Sequence, residues 1–397
     1  MRESTQPAAY AARLAKYNGR MFDKSHALFP IKDQYIFLTH CGIAPLYSGA
    51  LRAERDVAEA QCKTGALVFS RYDEILDGLR AAAAQLLKTS AENLAFVKNT
   101  SEGINLIANG YPFQAGDQVI SYVHEYPANH YPWKLQEKRG VELVLLPDTS
   151  SGDRPVAWSM RDLERHITPR TRVVALSHVQ FASGYCADLK PVAELCKARD
   201  IDLVIDAAQS LGSLPIYPED LHAAVVSSGW KWLMGPIGSG LLHTSPKFRA
   251  KLELAMVGAE SMRQGTDYLD HHWNPFASAK CFEYSTSPIA LAAALECAVR
   301  EIPLRYGVET IAREIFRLQD VFLAVLDRSR FRPVIEPSEQ RTSILSLIVP
   351  GDANAVRRSL LKQNVITTER GGYLRVAPHF YNTDEEMERA ALLMNQC

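Results

Sequence analysis

The sequence predicts an α/β fold, in which a mainly parallel β-sheet is flanked by helices and followed by a smaller C-terminal α+β domain. Between residues 94 and 243, short apolar runs rich in β-branched residues alternate with helical patterns, as in a parallel sheet with helical crossovers. Polar side chains follow several of these runs directly, where strand ends would meet a ligand. Beyond Tyr284 the alternation ends and helical patterns dominate, which indicates a second domain.

The composition excludes several classes of protein. The chain has 397 residues, which predicts two or three domains. Its formal net charge of −1 provides no basic field for nucleic acid, and no apolar run approaches the ~20 residues of a membrane span. The seven cysteines are scattered and never spaced as C-x-x-C, which favours a reducing compartment. We therefore expect a cytoplasmic protein with no nucleic-acid or membrane partner.

The N-terminal part is predicted to be an arm followed by a strand and two helices. Residues 1–30 form the arm, which is expected to pack with the small domain and has a helical pattern at residues 8–17. A short strand is predicted at residues 35–39, and Gly and Pro within residues 40–45 indicate a loop after it. The two helical patterns cover residues 48–62 and 73–87.

The next strand leads into a candidate anion site. Leu94–Val97 is apolar and predicts a buried strand, and a helical pattern begins soon after it at Thr100 and Ser101. Backbone N–H groups and the dipole at such a helix start can bind a phosphate. Simple capping of the helix by one of these hydroxyls explains the pattern equally well. Locally, both interpretations stay open.

The remaining strands of the large domain end in polar residues. Strands are predicted at Gln118–Tyr122, Glu142–Leu146, 172–179, 202–209, 223–226 and Gly240–His243, with a helix at 188–199. Each polar residue alone could be a cap or a turn former, but a shared position at strand ends predicts one ligand site. The residues that follow the strands are Tyr126, His178, Asp206, Gln209, Ser228 and Lys231.

The C-terminal part is predicted to be the small α+β domain. Strands are expected at residues 343–349 and 371–376. Together with the arm, this gives a large domain at 31–285 and a small domain at 286–397. The helical patterns of the small domain cover residues 289–301, 308–326, 354–363 and 384–394.

Lys231 lies between Trp230 and Trp232. Taken alone, it could be a surface lysine whose stem lies on a tryptophan face. An amine nucleophile instead needs apolar surroundings that favour its neutral form. The wider set of residues favours the nucleophile, because a lysine, an acid at the preceding strand, an anion site and an aromatic ring together suit pyridoxal phosphate.

Each part of pyridoxal phosphate has a candidate partner. Its aldehyde would form a Schiff base with Lys231, and Asp206 would keep its ring nitrogen protonated so that the ring withdraws electrons. Tyr126 would cover the ring. The predicted phosphate ligands are the helix start and the hydroxyls of Thr100, Ser101 and Ser228.

These motifs resemble the class-V aminotransferase family of fold-type-I pyridoxal phosphate enzymes, which includes cysteine desulfurases, kynureninases and isopenicillin N epimerase. The resemblance rests on Asp206-Ala207-Ala208-Gln209 followed by Ser228-Gly229-Trp230-Lys231, and it covers roughly residues 30–390. It implies a seven-stranded-type, mainly parallel sheet. Further matching segments are residues 99–105, 125–129, 177–179, 282–286 and 374–376.

The resemblance also implies roles for residues that the motifs alone do not explain. Gln209 would lie near the ring hydroxyl of the cofactor. Arg375 would bind the α-carboxylate of an amino acid substrate through two parallel hydrogen bonds. Since these enzymes are homodimers with shared active sites, Thr286 would reach the phosphate bound by the partner subunit.

Three departures from the desulfurase pattern limit the assignment of a reaction. Trp230 replaces a common phosphate-binding histidine, Phe181 replaces a substrate-contacting asparagine, and residues 367–375 contain no sulfur-accepting cysteine. We therefore predict a pyridoxal phosphate-dependent enzyme that acts on an amino acid, nominally an aminotransferase. The alternatives are a C–S or other β/γ-lyase, an amino acid epimerase, and a non-enzymatic regulator with the same fold. A nucleotide-binding Rossmann module would need a G-x-G-x-x-G turn, which residues 99–103 lack.

Overall fold

The computed structural model describes residues 22–150, 152, 154–338 and 340–397. The predicted helix at residues 8–17 and most of the predicted arm lie outside these ranges. The strands, numbered in chain order, are β1 Ile36–Phe37, β2 Leu94–Val97, β3 Gln118–Tyr122, β4 Glu142–Leu146, β5 Thr171–Ser177, β6 Asp202–Asp206, β7 Ala223–Ser228, β8 Gly240–His243, β9 Arg332–Pro333, β10 Leu345–Ile348, β11 Val365–Ile366, β12 Thr368–Arg370 and β13 Tyr373–Val376.

A seven-stranded sheet forms the centre of the protein, with the strand order β2-β8-β7-β6-β5-β3-β4. Strand β8 runs antiparallel to β2 and β7, and the pairs from β7 to β4 are parallel. Every residue of β2, β3 and β7 is buried, so both faces of these strands are covered, including those of the edge strand β2. The predicted mainly parallel sheet is confirmed.

Helices cover both faces of this sheet because alternate strand residues point to opposite sides. Phe96 and Val225 join one apolar core, whereas their neighbours Val97 and Val226 join the other. The α-helices span Ser48–Thr64, Tyr72–Leu87, Thr100–Gly110, Tyr131–Leu135, Met160–His166, Leu189–Ala198, Pro218–Leu221, Pro246–Arg249, Ile289–Val299, Val308–Val325, Ala353–Lys362 and Asp384–Asn395. Within the described ranges, no helix is long and apolar enough to cross a membrane.

A second, antiparallel sheet has the order β12-β13-β10-β9. Its buried residues share a core with the helices Val308–Val325, Ala353–Lys362 and Asp384–Asn395. Leu295 and Val299, by contrast, join the core of the large sheet. The division of the chain at residues 30 and 285 stays a prediction.

The hairpin of β12 and β13 differs from the predicted strand at residues 371–376. Gly371 and Gly372 have φ angles of +59° and +79° and form the turn between the two strands, so β13 begins only at Tyr373. Two consecutive positive φ angles match a two-residue type I′ hairpin, which strongly prefers glycine. This turn fixes the position of Arg375 on β13.

The described end of the predicted arm contacts the segment that follows β13. Phe22 stacks on Phe380 with ring centroids 4.9 Å apart, and Phe29 stacks on Tyr381 at 4.2 Å. Residues 22–29 therefore pack against residues that the sequence assigns to the small domain. The packing of the rest of the arm stays a prediction.

Candidate active site

A cavity of about 520 Å³ opens at the carboxyl ends of the parallel strands, where this fold class binds ligands. It brings together eight of the ten residues predicted at a ligand site, and His178 and Thr286 are not among the residues that line it. The eight residues are Thr100, Ser101, Tyr126, Asp206, Gln209, Ser228, Lys231 and Arg375.

Lys231 and Asp206 are contributed by neighbouring parallel strands. Asp206 ends β6 and Lys231 follows the end of β7. Burial lowers the pKa of Lys231, although the nearby Asp206 carboxylate opposes this effect. Burial raises the pKa of Asp206, while the Ala208 N–H bond and the Lys231 charge act in the opposite direction. The cavity thus holds an amine that loses its proton more readily than a surface lysine.

The predicted phosphate site lies at the start of the helix Thr100–Gly110. The N-terminal cap is Asn99, whose side chain accepts a hydrogen bond of 2.8 Å from the Glu102 N–H. Because Asn99 supplies the cap, the hydroxyl of Thr100 is not needed for it. The buried hydroxyls of Thr100 and Ser228 have no hydrogen-bond partner among the described residues. Two unsatisfied hydroxyls on residues that line one cavity at a helix N-terminus fit a phosphate group.

A glycine brings this helix close to the sheet. A Cβ atom at Gly103 would lie 2.4 Å from Cγ1 of Val226 on β7. Only glycine allows this close approach of the helix to β7, and Thr100 on the helix and Ser228 on the strand line the same cavity. Ser101 is exposed but also borders the cavity.

Two aromatic rings border the cavity on the side of Lys231. The Lys231 Nζ lies 5.6 Å from the ring centroid of Tyr126, and Tyr126 meets Phe181 edge to face at 5.3 Å. Tyr126 is 45% exposed, so a flat cofactor ring can reach it. His178 is buried with an unpartnered Nδ1 among the described residues, and burial lowers its pKa to about 4, which keeps it neutral at pH 7.

Gln209 is held by two hydrogen bonds. Its amide donates to the Cys41 carbonyl at 2.9 Å, and its oxygen accepts from the Trp232 indole at 3.2 Å. These bonds tie the loop around Cys41 to the segment that carries Lys231. Whether Gln209 also reaches the cofactor stays a prediction.

Arg375 is only 1% exposed. One Nη atom donates to the carbonyl of Phe181, and its Nε has no partner among the described residues. A buried guanidinium that lines a cavity and keeps an N–H without a partner is suited to bind a carboxylate. Phe181 therefore contributes its backbone carbonyl to the site. The desulfurase pattern has a substrate-contacting asparagine at this position.

Thr286 lies outside this cavity. It is exposed and borders a much smaller cavity together with Lys98, Glu102 and Tyr284. The structure therefore does not bring Thr286 to the Lys231 of its own chain. Its role toward the phosphate of a partner subunit stays a prediction.

Cys41 and Arg370 are among the cavity residues that the sequence did not identify as site residues. Cys41 lies in the predicted loop 40–45 and borders the cavity, but nothing in a single sequence marks it as different from the other cysteines. Arg370 ends β12 and also borders the cavity. The Gly371-Gly372 pair could have revealed it, because a hairpin turn there brings Arg370 beside the predicted substrate-binding strand.

The sequence profile of the class-V aminotransferase family matches residues 61–395, a range that includes Lys231, Asp206 and Arg375. The chain belongs to the class-V aminotransferase family. The resemblance predicted from the sequence is confirmed, and this class-V chain is a pyridoxal phosphate-dependent enzyme.

Curated relatives of this class-V chain include proteins named as desulfurases. A probable cysteine desulfurase from Methanothermobacter thermautotrophicus is 24% identical over 382 residues, which cover 90% of this chain and 94% of the relative. A probable cysteine desulfurase from Pyrococcus abyssi is 26% identical over 358 residues, which cover 85% of this chain and 86% of the relative.

Solved structures share the fold at lower identity. An apo cysteine desulfurase from Thermococcus onnurineus NA1 superposes with a TM-score of 0.83 at 22% identity, covering 96% of this chain and 98% of that one. The cystine C–S lyase C-DES, in complex with its reaction product cysteine persulfide, gives a TM-score of 0.83 at 20% identity, covering 92% of this chain and 99% of that one. These superpositions confirm the predicted fold.

Proposed function

We propose that this class-V enzyme is a lyase that breaks the Cβ–S bond of a cysteine-like amino acid and releases the sulfur as sulfide. The names of its curated relatives, cysteine desulfurases, favour the lyase alternative over the nominal aminotransferase. The name of a structural neighbour, a C–S lyase, agrees with this choice.

The observation that carries the proposal is the composition of the cavity together with the hairpin beside it. The cavity combines Lys231, Asp206 and Arg375, which is enough to bind an amino acid and move its Cα proton. Residues 365–375 contain no cysteine and form β11 and the hairpin of β12 and β13 instead of a thiol-bearing loop. Without a thiolate there to take the sulfur, sulfide is the expected leaving group.

The chain's own residues have separate tasks in this reaction. The cofactor supplies, when bound, a ring that stabilises negative charge at the substrate Cα. Arg375 would bind the substrate carboxylate, and the neutral amine of Lys231 would take the Cα proton. Asp206 would hold a proton on the ring nitrogen of the cofactor, while Thr100 and Ser228 would hold its phosphate.

The atom balance of the elimination needs no oxidant. The Cα–H and Cβ–S bonds break, the electrons of the Cα–H bond form a Cα=Cβ double bond, and the thiolate leaves and is protonated to hydrogen sulfide. The three-carbon product tautomerises and is hydrolysed by water to pyruvate and ammonium. The proton that Lys231 takes from Cα can return to the leaving sulfur or to the carbon product.

The test is product analysis with L-cysteine and no added amino acceptor. We expect pyruvate, ammonium and sulfide in equal amounts, and no turnover in the Lys231→Ala variant. Alanine formed together with a protein persulfide, for instance on Cys41, would contradict the proposal and support desulfurase chemistry. An enantiomeric amino acid, or turnover that requires a 2-oxo acid, would instead favour the epimerase or the aminotransferase.

We also propose that the enzyme is a homodimer with shared active sites. Leu269 and Trp273 are 90% and 69% exposed, and large apolar side chains clustered on one surface segment often mark an interface. Leu269 and Trp273 belong to the surface segment 257–273. This segment lies close to Thr286, because Gly258 packs directly against the Tyr284 carbonyl. A second copy that covers the segment would therefore lie close to Thr286.

A further inference from the structure

We infer that Arg370 binds a second acidic group, so that the cavity accepts amino acids with a carboxylate on the side chain. This inference rests on the proposed function only in assuming that Arg375 binds the α-carboxylate of an amino acid. It assigns a substrate class to a cavity for which neither the motifs nor the family profile specifies one.

The hairpin places Arg370 and Arg375 on the same face. Thr368 pairs with Arg375, and Arg370 pairs with Tyr373. Side chains two residues apart on a strand share a face, as do directly paired residues on neighbouring strands. Arg370 and Arg375 therefore project to one side of the hairpin, and both border the cavity.

The turn between the two strands is held in place. A Cβ atom at Gly371 would lie 3.3 Å from the side chains of Pro155 and Ala182, and one at Gly372 would lie 2.8 Å from Nε of Arg154. The turn thus packs tightly against the large domain. The backbones that carry Arg370 and Arg375 are consequently fixed relative to each other, as a site with two arginines requires.

Arg370 is available for a ligand. Its Nη1 donates to the carbonyl of Glu369, and it forms no ion pair with the part of the chain that the structure describes. The carboxylate of Glu369 is already used, since it accepts hydrogen bonds from the Gly372 N–H and the Asn354 amide. Four of the five guanidinium N–H donors of an arginine then remain for water or an anion.

The charges around the cavity favour a second anion. Its basic lining residues are Lys231, Arg370 and Arg375, and its acidic lining residue is Asp206. The positive charge of Arg370 disfavours the charged forms of both Lys231 and Arg375, so the three cations repel one another. A neutral amino acid brings one carboxylate, which Arg375 binds, whereas an acidic side chain would also neutralise Arg370.

Binding of dicarboxylates to the holoenzyme tests this inference. Succinate and glutarate lack an amine and cannot turn over, and butyrate and valerate are their monocarboxylate controls of matched length. By calorimetry, we expect each dicarboxylate to bind at least about tenfold more tightly than its control, a difference of about 1.4 kcal/mol. Arg370→Ala and Arg370→Gln should abolish this preference, and Arg370→Lys should keep part of it.

Two control variants complete the experiment. Arg375→Ala should weaken both classes of ligand, whereas Arg358→Ala, on the exposed face of the helix Ala353–Lys362, should change neither. Equal affinities for the two classes in the wild type, or a preference that survives in both Arg370→Ala and Arg370→Gln, would overturn the inference.

Kinetics separates this inference from the proposed function. S-carboxymethyl-L-cysteine carries a side-chain carboxylate, and its Cβ–S bond would break by the same elimination, with thioglycolate as the leaving thiolate. The ratio of its kcat/KM to that of L-cysteine should be at least about tenfold lower in Arg370→Ala than in the wild type. If no lyase product forms but the dicarboxylate preference holds, the proposed reaction is wrong and the second anion site stands. If elimination occurs but the ratio does not change, the inference is wrong and the proposed reaction stands.

Discussion

At the scale of single residues, the chemistry of the cavity follows from burial. Asp206 and Lys231 are withdrawn from water, and each shifts its pKa toward the neutral form, because desolvation disfavours a charge. Each charge also stabilises the other, so the attraction between Asp206 and Lys231 partly offsets the effect of burial on their two pKa values. A cationic cofactor ring nitrogen placed beside Asp206 would restore the charged form of this carboxylate.

The first prediction concerns the charge of Asp206. Asp206→Asn keeps an oxygen for the Ala208 N–H, so we expect the fold and the bound cofactor to persist. Without the carboxylate the ring nitrogen loses its proton and the ring withdraws electrons less strongly. Turnover should fall by at least about a hundredfold, or about 2.7 kcal/mol of activation free energy.

The measurement is kcat together with cofactor content. Asp206→Glu, which keeps the charge, serves as the matched control and should lose less activity. Full turnover in Asp206→Asn would remove Asp206 from the mechanism.

The second prediction concerns pH and Glu125. This buried carboxyl accepts hydrogen bonds from the Ser177 N–H and hydroxyl, yet burial raises its pKa to about 7. Below about pH 4.5 it is protonated in both the folded and the unfolded chain. As the pH rises from about 4.5 to 7, the unfolded chain loses this proton first, so the stability that Glu125 contributes is progressively lost.

Denaturant unfolding of the wild type and Glu125→Gln at pH 5 and pH 8 measures this loss. The stability of the wild type relative to the variant should fall by up to about 3 kcal/mol between these pH values. Glu59→Gln, on an exposed helix face, is the control. A difference between the wild type and Glu125→Gln that does not change with pH would contradict the assignment.

At the scale of elements, the sequence predicts the strands of the large sheet better than the small domain. Strands β2, β3, β4 and β8 have the predicted bounds, because each is a short run rich in apolar residues that differs clearly from the sequence on either side of it. The strands β11 and β12 were missed, since they have two and three residues and carry too few apolar residues for a periodic pattern. The helix predicted at 289–301 ends at Val299 and continues as a π-helical turn, Arg300–Leu304.

The third prediction concerns the contact between a helix and a strand at the phosphate site. Gly103→Ala places a methyl group against Val226 and should push the helix Thr100–Gly110 away from β7. Such overpacking typically costs about 1–3 kcal/mol of stability, and it would also separate Thr100 from Ser228. We therefore expect weaker cofactor binding, measured by titration of the apoenzyme.

Removing the opposing side chain provides the control for this prediction. The double variant with Gly103→Ala and Val226→Ala has space for the new methyl group and should regain cofactor affinity relative to Gly103→Ala alone. If the double variant binds no better than the single one, the close approach of helix and strand does not position the phosphate site.

At the scale of the whole molecule, the cavity depends on contacts that a single sequence does not reveal. Lys231 and Asp206 could be predicted together because neighbouring strands of one sheet carry them. Arg375 belongs to a different sheet, and only the family resemblance linked it to the site. Cys41 reaches the cavity through a loop whose carbonyl accepts a bond from Gln209, a long-range contact with no local sequence signal.

The fourth prediction tests the shared sites of the proposed homodimer. Lys231→Ala removes the amine from a chain's own site, and Thr286→Asp would place a negative charge beside the phosphate in the partner's site. Each variant alone should be nearly inactive. After subunit exchange, a mixed dimer has one site with both defects and one intact site.

Activity recovered on mixing the two variants is the expected result, measured after sedimentation analysis has established dimers. Wild-type protein taken through the same subunit exchange is the control for activity lost during the procedure. Inactive mixed dimers would show that Thr286 serves its own chain or no site at all, and a monomer in sedimentation would exclude the shared site directly.

The most direct test of the account is the chemical identity of the residue that carries the cofactor. Borohydride reduction of the holoenzyme, followed by peptide mass mapping, should place a pyridoxyl group on Lys231, since its amine loses a proton more readily than that of a surface lysine. Lys231→Ala should give no labelled peptide while still retaining cofactor non-covalently. A pyridoxyl group on another lysine, or none on the wild type, would contradict the account.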